Sequence, residues 1–213
     1  EGDIVWVEKM IKAVIFDLDG VLLNSFESNL KYFRELFRRF NYPAPTPDEY
    51  VNMFYLPTYD VIRVWTKLND DLKIREIMAE GDKIELDNSV EMPKGASKVI
   101  TELKKNYKLS IVTGRQRDNI FEGELANHKE LFEAIIGYED TLKHKPSPEP
   151  LLLALKKLKS NPEECIYIGD ALTDVRAGNA ANIKVISYGK NLMDGSIAKA
   201  ETFEEILSLI KNV

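Results

Sequence analysis

The run Val14-Ile15-Phe16-Asp17-Leu18-Asp19-Gly20-Val21-Leu22-Leu23, VIFDLDGVLL, sets two carboxylates inside an otherwise apolar stretch. Ala13 to Phe16 carries no polar residue, which reads as a strand buried on both faces, the kind that belongs mainly to parallel sheets. Asp17 and Asp19 are spaced i, i+2, so in extended chain they leave the same face of the strand tip a few ångströms apart. Left alone they would repel and one would stay protonated. Asp-x-Asp-Gly by itself is also an ordinary turn. The choice between a turn and a cation site depends on what the rest of the chain brings to this strand end.

Two later segments share the same grammar, Lys108-Leu-Ser-Ile-Val-Thr113-Gly114 and Cys165-Ile-Tyr-Ile-Gly169-Asp170. Each is an apolar run ended by a polar group and glycine. Ala134 to Gly137 and Ile183 to Ser187 complete a set of five strands. Helical patterns alternate with them at Ala96 to Lys105, Glu149 to Leu158, Leu172 to Ala181 and Phe203 to Ile210. The alternation predicts an α/β fold, a doubly wound, Rossmann-like, mostly parallel sheet of five strands.

The interval from Asn24 to Glu91 breaks this rhythm and shows no strand. Phe26, Leu30, Phe33, Phe37 and Phe40 follow helical spacing, with further helical patterns from Thr58 to Lys67 and from Asp71 to Leu86. Of the chain's twenty Phe, Tyr and Trp residues, eleven lie between Phe26 and Trp65. The expected organisation is a core of residues 1–23 and 92–213 with a helical cap, 24–91, inserted after the first strand. Arg34, Arg38, Arg39, Arg63 and Lys67 of this insertion are candidates for holding an acidic substrate, although a solvated helix position is the better account of each and none is singled out.

Composition narrows the function. At 213 residues with a net charge of −6 and a pI near 5.2, the chain has no basic footprint for nucleic acid and no attraction to anionic lipid. No segment reaches the length of a membrane span. The first residues, EGDIVWVEKM, lack the pattern of a signal peptide, and Met10 directly before the first strand makes residues 1–9 read as an extension. The single cysteine, Cys165, lies in an apolar run and reads as a buried, inert thiol. A cytoplasmic protein is expected.

In an open parallel sheet, ligands sit beyond the carboxyl ends of the strands. Those ends carry Asp17 and Asp19, then Thr113 and Gly114, then Asp170 with nearby Asp174, and the loop after the third strand carries Lys145 in Lys143-His144-Lys145-Pro146. Singly, each has a structural explanation: Asp170 suits the cap of the helix beginning near Ala171, and Lys143 competes with Lys145. His128 and His144 read as surface residues, since neither has a second histidine at metal-binding spacing.

Together, Asp17-Leu18-Asp19-Gly20, Thr113-Gly114, Lys145-Pro146 and Gly169-Asp170-Ala-Leu-Thr-Asp174 resemble in type and order the four motifs of the haloacid dehalogenase-like hydrolase superfamily. The insertion resembles the helical cap of the branch that includes phosphoglycolate phosphatases and β-phosphoglucomutases. Asn24 departs from the aspartate many relatives have there. The resemblance implies a Mg²⁺-dependent phosphatase acting on a small-molecule phosphomonoester. Asp17 would be the nucleophile that becomes an aspartyl-phosphate and Asp19 the general acid and base, while Thr113, the Gly114 amide and Lys145 would hold the phosphoryl oxygens. Magnesium would take the Asp17 carboxylate, the Asp19 backbone carbonyl and the Asp170 carboxylate, with Asp174 holding a metal-bound water or orienting Lys145. The second acid, Asp19, favours phosphoryl transfer over dehalogenation. A sugar phosphomutase shares the same intermediate, and a phospho-receiver module shares the acids, hydroxyl and lysine without the cap.

Overall fold

The computed structural model describes residues 10–84 and 90–212. Six parallel strands form one sheet: β1 (Ala13–Phe16), β2 (Lys108–Val112), β3 (Phe132–Ile136), β4 (Cys165–Gly169), β5 (Lys184–Tyr188) and β6 (Ala198–Ala200). Their order is β3-β2-β1-β4-β5-β6, every pair parallel. The sheet therefore has six strands, not the expected five. The added β6 is the three-residue edge segment Ala198-Lys199-Ala200, too short to show a period of its own.

Alternation in β1 explains the layers. Val14 and Phe16 pack on one face with residues of α5 (Ala96–Lys104) and α8 (Phe203–Lys211), while Ala13 and Ile15 pack on the other with α6 (Glu149–Leu158) and α7 (Leu172–Ala180). All four β1 side chains are fully buried, as a strand covered on both faces requires. Cys165 is buried, and that burial pushes its thiol up to about 12, so it is inert as expected.

Between β1 and α5 lie α1 (Phe26–Arg39), α2 (Pro47–Tyr50), α3 (Thr58–Thr66) and α4 (Asp71–Gly81). These helices share a third apolar cluster in which Phe33 stacks on Phe37 with ring centroids 5.8 Å apart and Phe37 stacks on Trp65 at 6.0 Å. Local signals set their starts. Thr46 closes a capping box with Glu49 at α2, and the Asp70 carboxylate accepts from the Leu72 and Lys73 amides at α4. The helix expected to reach Leu86 ends at Gly81, and Leu86 lies outside the described residues, as do residues 1–9. The two chain crossings meet where the Asn24 amide donates to the Glu91 carbonyl at 2.9 Å.

The chain leaves β1 to build β2 and β3 on one side, then crosses to β4 on the other. The order reverses at β1, and the crevice beyond its carboxyl end is where such sheets bind ligands.

Candidate active site

The backbone turns sharply after Asp17, with the amides of Val21, Leu22 and Leu23 converging on the Leu18 carbonyl. Gly20 sits in the turn at φ +78°, and a Cβ there would come within 2.0 Å of an Asp170 carboxylate oxygen. Only glycine permits both the left-handed backbone and that approach. The turn also separates the two acids that extended chain would align on one face.

Asp17 meets Lys145, whose Nζ lies 2.8 Å from an Asp17 carboxylate oxygen and 2.7 Å from one of Asp174. All three side chains are at least nine-tenths buried. Asp174 is satisfied three ways: by Lys145, by the Tyr167 hydroxyl at 2.8 Å and by the Ala171 amide at 3.0 Å. Asp170, by contrast, has no hydrogen bond among the described residues. Carboxylate oxygens of Asp17, Asp170 and Asp174 lie within 4.8 Å of one another.

Such crowding has a cost in charge. Burial, and next the Asp174 carboxylate, push Asp17 up to about 7 despite the opposing Lys145. Burial with Asp17 and Asp174 raises Asp170 well above the ordinary range. Burial works against the Lys145 charge, but the two carboxylates outweigh it and hold the ammonium. One lysine among three buried acids leaves an excess of negative charge.

Asp19 belongs to a second network. Arg115 grips its carboxylate through Nε at 2.9 Å and Nη2 at 2.7 Å, Asn29 donates at 3.1 Å, and the Ser25 hydroxyl donates as well. Burial would raise Asp19, yet the Arg115 guanidinium and these donors hold it below its ordinary value. The neighbour that chiefly raises Asp17 is thus Asp174, with Asp19 the smallest of its named causes. Asp19 still adds to the rise at Asp17, and the turn and Arg115 reduce that repulsion to a minor share.

Thr113 follows β2, almost fully buried, its hydroxyl oxygen accepting from the Arg115 amide at 3.1 Å. Pro57 of the helical segment lies over Gly114, 3.4 Å from where a Cβ would stand. Thr113, Gly114, Lys145, Asp17, Asp19 and Asp170 all line one cavity of about 530 Å³. Every predicted site residue except Asp174 thus faces it, and Asp174 stands behind Lys145. His144 also lines it, stacked on Tyr138 with ring centroids 4.2 Å apart, so it is not the plain surface residue expected. His128 is away from the cavity and pairs with Ser97 at 2.9 Å. Lys143 is exposed.

Four participants escaped the sequence reading: Tyr167, Arg115, Asn29 and Ser25. Tyr167 reads as one more apolar strand residue, and its hydroxyl gains meaning only when β4 lies beside Asp174. Arg115 directly follows Thr113-Gly114, and a charge beside a strand-end hydroxyl was the one signal available. Asn29 lies on α1 with nothing local to mark it.

A hard dication takes oxygen ligands and keeps several waters. The donor set suits it: Asp17 and Asp170 face the cavity in excess negative charge, and the Asp19 backbone carbonyl accepts no hydrogen bond among the described residues. Asp174 has its oxygens occupied and fits the role of orienting Lys145.

Comparisons with known proteins agree with this architecture. The chain is 33% identical over 194 residues to the pyrophosphatase PpaX of Bacillus pumilus, covering 83% of this chain and 82% of that one. It is 28% identical over 207 residues to PpaX of Oceanobacillus iheyensis, covering 95% of each. In fold it is similar to CbbY from Rhodobacter sphaeroides in complex with phosphate, with a TM-score of 0.78, 22% identity and coverage of 92% and 96%. The sequence model of the haloacid dehalogenase-like hydrolases matches residues 14–188; with acids, hydroxyl and lysine gathered at the strand ends as described, the chain belongs to that family.

Proposed function

We propose that this protein is a Mg²⁺-dependent phosphatase that removes the phosphoryl group from a small phosphorylated molecule through an aspartyl-phosphate on Asp17. The observation that carries the reading is the position of Asp17, a buried carboxylate held by the Lys145 ammonium at 2.8 Å, facing a cavity that Thr113, Gly114 and Asp170 also line. Membership of a hydrolase family sets the phospho-receiver module aside.

The Asp17 carboxylate, the Asp19 backbone carbonyl and the Asp170 carboxylate would hold the magnesium. When bound, the ion offsets the charge of the clustered acids and of the phosphoryl group. An Asp17 oxygen forms the bond to phosphorus as the bond to the leaving oxygen breaks. The Thr113 hydroxyl and the Gly114 amide donate to phosphoryl oxygens, and Lys145 neutralises charge that develops there. Asp19 gives a proton to the leaving oxygen. It then takes one from the water that attacks phosphorus and frees Asp17. In the arrangement seen, Arg115 keeps Asp19 ionised, the state suited to the second step, so the first requires Asp19 to leave that guanidinium. Residues 24–91 act as a cap that closes over the leaving group and excludes water.

The test is a phosphoester panel with Mg²⁺ that scores both released phosphate and isomerised product, with inorganic pyrophosphate included because relatives carry that activity in their names. Rapid quenching and peptide mapping should place acid-labile phosphate on Asp17. Isomerisation without phosphate release would establish a mutase instead.

A further inference from the structure

The cavity beyond the phosphoryl position has an unequal wall. Among its described lining residues the lysines and arginines are Lys145 and Arg115 alone, both from the sheet side. Lys145 is committed to Asp17 and Asp174. Arg115 is committed to Asp19, to Glu122 at 2.9 Å and to the Asn119 carbonyl at 3.0 Å. The opposite wall comes from the helical segment, where five aromatic rings and Met78 stand beside the neutral polar Ser28, Asn29 and Thr58, and its described charge is the acid Asp82.

The helical segment does own cations, and none lines the cavity. Arg38 and Arg39 pair with Glu35, Arg39 also with Glu80, Arg63 with Asp60, and Arg34 donates to the Pro45 carbonyl. Residues 85–89, between the lining residues Ile84 and Val90, read Glu-Leu-Asp-Asn-Ser and contain no lysine or arginine. Four of the insertion's five candidate anion-binding residues are thus spent on its own surface, and the fifth, Lys67, is not among the residues that line the cavity.

We infer that the donor serving Asp17 is a phosphomonoester whose leaving group is uncharged and presents a ring-sized apolar face. This rests on the phosphatase reading and deepens it. A second anion on the donor would be withdrawn from water against aromatic rings and Asp82, with no uncommitted lysine or arginine among the described lining residues to meet it and with burial holding His144 toward its neutral form, and an unpaired buried charge is costly. An apolar leaving group gains on the same wall, because its surface is removed from water and ring-to-ring contacts are added. A cavity of about 530 Å³ has room for a phosphoryl group and one ring.

The experiment compares kcat/KM of the full chain with Mg²⁺ for benzyl phosphate, phosphoglycolate and inorganic pyrophosphate. The first two both release a primary alcohol, so their ratio reports the wall rather than the intrinsic lability of the bond. Benzyl phosphate should lead phosphoglycolate and pyrophosphate by roughly tenfold or more. Preference for either anionic donor overturns the inference and leaves the phosphatase intact. Phosphate release from none of the three, nor from acetyl phosphate, overturns both.

Two variants extend the test. Tyr55 lines the cavity yet is 46% exposed, so Tyr55→Lys can add the missing cation without opening the core. It should move the preference toward phosphoglycolate by on the order of tenfold, and an unchanged ratio counts against the wall as the determinant. Arg115→Met should lower turnover of both alcohol-releasing donors together. Selective loss of phosphoglycolate turnover would identify Arg115 as an anion anchor and overturn the proposal.

Discussion

The two sides of the cavity solve different physical problems. On the sheet side the charged groups other than Asp170 are held by neighbours: Asp174 has three donors, Lys145 bridges two carboxylates, and Asp19 is gripped by Arg115 together with Asn29 and Ser25 from the start of the insertion. On the helical side the wall is mainly aromatic with Asp82 its one described charge, and arginines of the segment pair on its surface, as Arg38 does with Glu35, where solvent screening leaves little net stabilisation. Charge that must act on a reacting group is buried and fixed by neighbours. Charge that only solubilises a helix is left in water. The contrast suggests a division in which the sheet supplies chemistry and the inserted helices supply selection.

The largest effects should come from the sheet side. Asp17→Asn removes the carboxylate proposed to attack phosphorus, and turnover should fall by on the order of 10⁴-fold or more. Asp19→Asn should lose about 10² to 10⁴-fold, since it keeps the backbone carbonyl but loses proton transfer. The two variants are told apart by quenched labelling with acetyl phosphate, which should mark Asp17 in Asp19→Asn and mark nothing in Asp17→Asn. Label at Asp19 would reverse the assigned roles.

Next comes Phe37→Ala in the helical cluster, where Phe37 is fully buried against Phe33 and Trp65. Truncating a buried phenylalanine costs about 3–5 kcal/mol. If the two regions divide the work as argued, the variant should loosen donor selectivity while acetyl phosphate still labels Asp17. Parallel loss of labelling, in protein shown by circular dichroism to stay folded, would break the comparison.

Metal binding should link stability to pH. The folded protein holds the Asp17 proton up to about 7, against an ordinary value of 3.8. That contribution is therefore complete below about pH 4 and is lost as pH rises through 7. Chelator-treated protein should thus lose stability over this window, and Mg²⁺ should restore more at pH 8 than at pH 5. At a hundredfold excess over its dissociation constant the ion stabilises by about 2.7 kcal/mol. Calorimetric Tm values with and without chelator check the sign. An equal Mg²⁺ increment at both pH values would argue against the carboxylates as its ligands.

The smallest expected change is Tyr167→Phe, which removes a neutral hydroxyl that donates to Asp174 at 2.8 Å. A loss of about 1–3 kcal/mol in stability follows for the buried acceptor left short of a partner. Activity should decline only through a less well placed Lys145, read as a change in kcat with KM held.

The sequence by itself determined five of the sheet's six strands and which polar residues end them. Runs without a polar residue have to be buried on both faces, and the places where such runs stop in Asp, Thr or Gly are visible in one dimension. Asp17, Thr113, Gly114 and Asp170 could therefore be gathered on paper, because each lies at or just beyond a strand end, and Lys145 joined them from the loop after β3 through its resemblance to a family motif. The inserted helices were legible for a similar reason, the spacing from Phe26 to Phe40 repeating the helical period.

Tertiary structure alone decided who pairs with whom. Arg115 and Asp19 are ninety-six residues apart in sequence and become partners only when β1 and β2 lie side by side. Tyr167 becomes a donor only when α7 folds Asp174 back over β4. The outward turn of Arg34, Arg38, Arg39 and Arg63 is likewise a matter of which helix face packs, and the edge strand β6 exists only because β5 offers it a hydrogen-bonding edge. Periodicity reports burial, which is a property of each residue in turn, whereas pairing is a property of two residues that the chain does not place together until it folds.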